Sequence, residues 1–415
     1  MTTNLSLPQG ALYEQKEVNI NFPSTWQVET CESPADKMEP VTDGIIKSVF
    51  ANPVGTKNIK ELAEGKKEVA IIFDDITRGT RVSQLIPYIL DELASAGIKD
   101  KQIRFICAVG CHGAHTLLDF TNKLGKKIVS RYPVYNHNPY ENCEHVGKTS
   151  RGTVVSINAE LMRCDLKIAI GSITPHPLVG FGGGGKIIAP GVAFIDTIKQ
   201  YHDLALKALK KSVKEDRCDN PFQEIKDEMG EISRLAGLDI IVNAMVNSRC
   251  HTVDLVIGDP VEAYEVGLKK AKQVYGTKLR PEADIVVVNA NFKVNESFIT
   301  IRFGSASLKP GGDIIVIAHA PMGQAVHYLL GRFGNYMGGQ MWNPNRSVIV
   351  GSKVGRIIIF NPYRNYVDED WFGGFDRACW ASSWEQVMKI ISPGSGEGTR
   401  VNVFPDATIQ YHLAE

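Results

Sequence analysis

The chain carries no excess of either charge: Lys plus Arg number 46 and Asp plus Glu number 46, a formal net charge of zero. Generic binding to nucleic acid or to a membrane surface favours a positive excess, so neither partner is expected. No apolar run reaches the roughly 18 residues needed to span a bilayer. The opening Met-Thr-Thr-Asn-Leu-Ser lacks the basic region and apolar stretch of a secretory leader. Cysteine is scarce and dispersed, at positions 31, 107, 111, 143, 164, 218, 250 and 379 of 415. That spacing excludes a disulfide scaffold, and Cys107-Ala-Val-Gly-Cys111 has no second pair at zinc-site spacing. The expectation is a soluble, reduced, cytoplasmic protein.

Two nucleotide-binding signatures are also missing. A dinucleotide fold places a glycine fingerprint after its first strand, where this chain has Asp75-Ile-Thr77-Arg78. Gly180-Phe-Gly182-Gly183-Gly184-Gly185-Lys186 fits the first seven positions of a phosphate-binding P-loop. The eighth should be Ser or Thr to hold magnesium but is Ile187, and Pro190-Gly191 interrupts the helix that should follow. A nucleoside triphosphatase is therefore not expected. What remains is a run of four glycines, Gly182 to Gly185, whose bare backbone can approach a bound group and cradle a phosphate. Lys186 follows directly, with His176 ten residues before it and His202 sixteen after. An amine, two imidazoles and open backbone around one loop are parts for holding a cofactor and moving protons.

The apolar pattern predicts an α/β protein of two domains, each with a mostly parallel sheet, and an active-site cleft between them. Val18–Phe22 and Trp26–Thr30 read as the two arms of an N-terminal hairpin. Val69–Phe73, Ile103–Val109 and Leu166–Ile170 are short apolar runs of the kind found in buried parallel strands. A helical pattern through Leu85, Ile89 and Leu93 separates the first two, and Asp196–Lys214 is a helix carrying His202. A second series follows Lys278-Leu-Arg-Pro-Glu-Ala283: Asp284–Val288, Asp313–Ile317, Ser347–Val350 and Ile357–Phe360. The expected domains are 1–278, holding cofactor and catalytic residues, and 279–415, with the last residues packing back on the first domain.

Reactive groups in such sheets collect at the carboxyl ends of strands. Three runs end in them: Asp74-Asp75-Ile-Thr77-Arg78, Gly110-Cys-His112-Gly-Ala-His115, and Pro175-His176. His112, His115 and His202 are of metal-ligand type, yet 112 and 115 stand three apart in a loop. His202 has no helical histidine four residues on, so a zinc-protease motif is absent.

Taken together, Asp75-x-Thr77-Arg78, Gly110-x-His112 and His176-x9-Lys186-x3-Pro190-Gly191 followed by His202 resemble the nickel-dependent lactate racemase family. The resemblance runs through the second α/β series to Val403-Phe-Pro-Asp-Ala407. It implies a nickel-pincer nucleotide, held covalently by a thioamide at Lys186 and ligated to nickel by His202. It implies His112 and His176 as an acid/base pair on the substrate hydroxyl. Asp75, Thr77, Arg78 and the glycines Gly182, Gly183, Gly184 and Gly185 would line the cofactor site, with Arg78 also meeting substrate. Proteins that synthesise the cofactor are the implied maturation partners. Moving hydride, while a histidine of near-neutral pKa takes the hydroxyl proton, inverts such a carbon more easily than removing its poorly acidic hydrogen as a proton.

The chain departs from the family where substrate would sit. Gly113 stands where members usually carry arginine, and a Gln and Lys that commonly help bind lactate fall near Ile299 and Arg302. The reading is a racemase or epimerase of a 2-hydroxy acid other than lactate itself, with Arg302 as the carboxylate-binding candidate. The alternatives are a nicotinamide-dependent oxidoreductase of hydroxy acids and a non-catalytic nickel-nucleotide carrier.

Overall fold

Uniformly apolar strands are stable only where both faces of their sheet are covered, and the described residues form two six-stranded sheets of that kind. The computed structural model describes residues 2–13, 15–215, 222–343, 353–372 and 378–413. In the first sheet the strands run in the order Thr252–Gly258, Ile240–Val246, Leu166–Ser172, Val69–Asp74, Ile103–Ala108, Val134–Asn136. Only the first of these is antiparallel to its neighbour. Successive side chains of a strand point to opposite faces. Ala70 and Ile72 accordingly enter one core, whereas Val69, Ile71 and Phe73 enter the other.

The second sheet runs Ala378–Ala381, Val354–Phe360, Leu308–Ile317, Ala283–Asn289, Arg400–Phe404, Gln27–Thr30, all parallel. Ile285 and Val287 face one core and Val286 and Val288 the other. The strand expected at Ser347–Val350 lies outside the described residues.

The N-terminus departs from expectation twice. The hairpin is formed by Thr2–Gln9 and Lys16–Pro23, not by the segments on either side of Pro23-Ser24. Gln27–Thr30 instead adds to the edge of the second sheet beside Arg400–Phe404. Leu7, Val18, Ile20, Phe22 and Trp26 are buried in the core beneath that sheet. This N-terminal stretch, counted by sequence within 1–278, thus packs against the second sheet, because its alternating apolar positions find their cover there. At the other end, Tyr411–His412 pairs with Gly276–Thr277, and Ile409 enters a core of the first half.

Candidate active site

Parallel strands end at one edge of their sheet, so the loops that follow them converge. Loops from the ends of both sheets line a cleft of about 910 Å³. Asp75, Thr77, Arg78, His112, His176, Lys186, His202 and Arg302 all line it, with Gly182, Gly183 and Gly184.

The first strand delivers Asp75, a buried carboxylate. Its Oδ2 lies 2.7 Å from His112 Nδ1, and its Oδ1 accepts the Thr77 amide at 3.1 Å. Burial by itself would raise the Asp75 pKa. The opposing charge of His112, with hydrogen bonds from His112 and His115, holds it well below the usual carboxylate range. A carboxylate only accepts, so Nδ1 of His112 carries a proton, and in the neutral ring Nε2 is the nitrogen left with the lone pair. Lys123, fully buried, braces this loop from behind through Asp74 Oδ1 at 2.7 Å and the Arg78 carbonyl at 2.8 Å. His115 turns toward Asp75, 3.6 Å away, and is not part of the cleft wall. The grouping of His112, His115 and His202 around one metal is therefore not realised.

His176 is surrounded by cations. Burial first, then the charges of Lys186, Lys293 and Arg78, push its pKa well below the ordinary imidazole range, so it is neutral at pH 7. The Leu178 amide donates to its Nδ1 at 3.2 Å. His202 stands on the helix Ile195–Glu215, and its Nδ1 donates to the Ile198 carbonyl at 2.8 Å, leaving the Nε2 lone pair available. Burial is the main cause that lowers the His202 pKa to about 4. The Lys186 amine is lowered to about 8, by burial and then by the charge of Arg78. Near neutral pH an appreciable fraction is therefore unprotonated and nucleophilic.

The glycine run serves packing more than the sequence suggests. A Cβ on Gly183, at φ +92°, would stand 2.6 Å from Ile173 Cγ1, and one on Gly184 would stand 2.7 Å from the Tyr264 ring. Gly185 is turned away from the cleft against the helix Gln223–Leu235, where a side chain would overlap Ser233. The Gly184 amide is used by Asn243 Oδ1 at 2.7 Å and the Gly182 amide by the Thr174 carbonyl at 2.8 Å. Neither amide is left for a phosphate. Only at Gly182 would a Cβ meet nothing closer than the Thr174 carbonyl at 3.7 Å, beside Lys186 Cδ at 3.8 Å.

The second half contributes residues that the sequence reading passed over. Glu296 forms an ion pair with Arg78 at 2.5 Å and lies 3.6 Å from His112 Nε2. Lys293, fully buried, donates to the Pro175 carbonyl at 2.6 Å and the Thr408 carbonyl at 3.1 Å, clamping the backbone beside His176. His327 lies between His112 and His202, at ring-centroid distances of 5.5 and 6.2 Å. Lys293 and Glu296 follow the strand Ala283–Asn289, and His327 follows Leu308–Ile317. The strand-end rule that found the first-half residues, applied to the later strands, points to the same loops. Arg302 is exposed at the cleft wall, on the helix Ile299–Ser305.

The donor set suits the nickel-pincer nucleotide that the family resemblance implies. Lys186 offers an amine of lowered basicity, Gly182 leaves space beside it, and His202 offers one oriented lone pair. Among the described residues no group of three or more His, Cys, Asp or Glu side chains is arranged to hold a metal alone. A metal ligated by His202 would take its other ligands from an organic group.

Comparison with known proteins bears on the same residues. The lactate racemase N-terminal domain matches residues 13–213, which include Asp75, Thr77, Arg78, His112, His176, Lys186 and His202. The lactate racemase of Thermoanaerobacterium thermosaccharolyticum is 28% identical over 301 residues, 69% of this chain and 68% of that one. That of Lactiplantibacillus plantarum is 29% identical over 277 residues, 65% of this chain and 64% of the other. The structure of the Thermoanaerobacterium lactate racemase apoprotein superposes with a TM-score of 0.72 at 22% identity, covering 99% of this chain and all of that one. A Thermotoga maritima protein superposes at 0.62 with 17% identity, over 90% of this chain and 99% of its own. The matching domain and these relatives agree with the motifs around His112, His176, Lys186 and His202, and over this span the chain is similar to the lactate racemases.

Proposed function

We propose that this protein is an isomerase that racemises or epimerises a 2-hydroxy acid in the cleft between its two sheets. The observation that carries the reading is the convergence of two differently held imidazoles, a lysine of lowered basicity and a helix-borne histidine on one cleft. In this reading Lys186 and His202 hold a nickel-pincer nucleotide, and proteins that synthesise it mature the enzyme. When bound, that group supplies a centre able to take hydride from the substrate carbon and return it to either face.

The remaining work falls to the chain itself. His112 Nε2 accepts the hydroxyl proton of one enantiomer, while Asp75 keeps the ring in the required tautomer and stabilises the charge it gains. His176 serves the opposite enantiomer. Its neutral ring carries the proton on Nε2, because Nδ1 accepts the Leu178 amide. It therefore enters as a hydrogen-bond donor, and its turn as base requires the Leu178 amide contact to be given up so that the proton can move to Nδ1. Arg78 is tied to Glu296 and acts on substrate through that pair, whereas Arg302, exposed at the cleft wall, is the cation we assign to a carboxylate.

The two other functional classes fit less well. A nicotinamide pyrophosphate would meet the carboxylates of Asp74 and Asp75 after the first strand, and a carrier needs no oriented Asp75–His112 pair. The test is chiral chromatography of a 2-hydroxy acid panel incubated with protein matured by the cofactor-synthesis system. Interconversion of enantiomers, with an acid larger than lactate preferred, is expected. Nicotinamide-dependent oxidation without interconversion would replace the reading.

A further inference from the structure

One cleft side chain has no part in the function as proposed. The segment around Val326 runs beside the loop that carries His112. The Gly113 amide donates to the Val326 carbonyl at 3.2 Å, the Tyr328 amide donates to the Cys111 carbonyl at 2.7 Å, and His112 and His327 form an antiparallel bridge. Gly113 fits this approach, since a Cβ there would already stand 3.4 Å from Val326 Cβ. The pairing sets the His327 ring edge-on to His112 at 5.5 Å and to His202 at 6.2 Å. A ring that close to both the base and the metal-ligand candidate borders the space where the reacting carbon must lie.

The tautomer of the neutral ring decides which nitrogen carries the donor. The Leu330 amide donates to His327 Nδ1 at 3.1 Å, so in the neutral ring the proton sits on Nε2. That N–H lies 3.4 Å from Cys111 Sγ, a weak acceptor that an anionic oxygen easily displaces. Arg78 is already paired with Glu296.

We propose that His327 is a substrate-binding residue whose Nε2–H holds a carboxylate oxygen of the 2-hydroxy acid between His112 and His202. This rests on the racemase reading and deepens it: the second half supplies part of the substrate site, and recognition is complete only when its loop lies against the first. The residue has neither a metal-ligand nor an acid/base role.

The test uses holoprotein with lactate, malate and phenyllactate as probes. His327→Ala should keep the wild-type nickel content and cofactor mass. It should raise KM by about 10- to 100-fold, the scale of one hydrogen bond to a charged group, with kcat within a few-fold. Calorimetric binding of the same acids to holoprotein carrying His112→Ala should weaken by a similar factor when His327→Ala is added. His327→Gln, whose amide N–H can stand near the lost Nε2–H, should recover much of the affinity and guards against a folding defect. Loss of nickel in His327→Ala would make it a ligand instead. An unchanged KM, or a glutamine variant no better than alanine, would overturn the assignment and leave the racemase reading standing. Wild-type holoprotein that interconverts none of a broad acid panel would remove both.

Discussion

At Lys186 the burial that depresses the amine's basicity is also what makes it reactive. With its pKa at about 8, the neutral fraction grows as pH rises to that value and levels off above it. Cofactor attachment in a maturation assay should therefore speed up between pH 6 and 8 and flatten beyond. Lys186→Ala should abolish the mass increment of matured protein altogether, and intact mass spectrometry would contradict us by finding that increment unchanged. His112 depends on its neighbour in a different way. Asp75→Asn replaces an obligate acceptor with a group that also donates, so the Nδ1–H tautomer of His112 is no longer enforced. Turnover should fall by about 10²- to 10⁴-fold while nickel content and attached mass stay at wild-type levels. Loss of nickel together with turnover would mean that Asp75 organises the cofactor site and not the base.

The glycine loop shows how one element meets two demands. It must turn tightly at the end of Leu166–Ser172, and it must let the helices Gln223–Leu235 and Glu262–Tyr275 approach from behind. Gly183→Ala and Gly185→Ala each drive a methyl group into atoms with no room to move, the first also at an unfavourable positive φ. Each should lower stability by about 1–3 kcal/mol. Gly182→Ala should cost much less, because its Cβ would look into the cleft. Denaturant unfolding of the apo forms separates these outcomes; equal losses at all three positions would show that ligand space and packing are not divided as described. Attachment at the neighbouring Lys186 should be the property most sensitive to the change at 182.

On the scale of the molecule, the two halves are tied together at both ends of the chain. The hairpin Thr2–Gln9 and Lys16–Pro23 covers the second sheet, the strand Gln27–Thr30 extends it, and Tyr411–His412 returns to pair near the first half. We propose that the first 31 residues count with the later unit, not with the earlier one. Leu7, Val18, Ile20, Phe22 and Trp26 are all nearly fully buried there, at about 1.5–3 kcal/mol each. Together they are comparable with the whole stability of a typical domain, about 5–15 kcal/mol. A chain lacking residues 2–31 should give little soluble protein or lose cooperative unfolding. A soluble truncated chain with an unchanged urea midpoint would show that the hairpin is an appendage.

Local chemistry determined a good deal of this protein unaided. Apolar runs such as Val69–Phe73 and Asp284–Val288 announce buried parallel strands because period and composition are local properties. The spacing of His176, Lys186 and His202 identifies one loop-and-helix site because its parts are near in sequence. Other features depended on partners far along the chain. Gln27–Thr30 reads as half of a hairpin until Arg400–Phe404 offers it a sheet edge. The glycines from Gly183 to Gly185 read as a ligand cradle until Ile173, Tyr264 and Ser233 are seen to fill the space around them. Glu296, Lys293 and His327 enter the site from 117 to 215 residues away from the histidines they approach. Pattern along a chain encodes which face of an element is buried; which distant element buries it, and which side chains meet in the cleft, is settled only when the sheets pack.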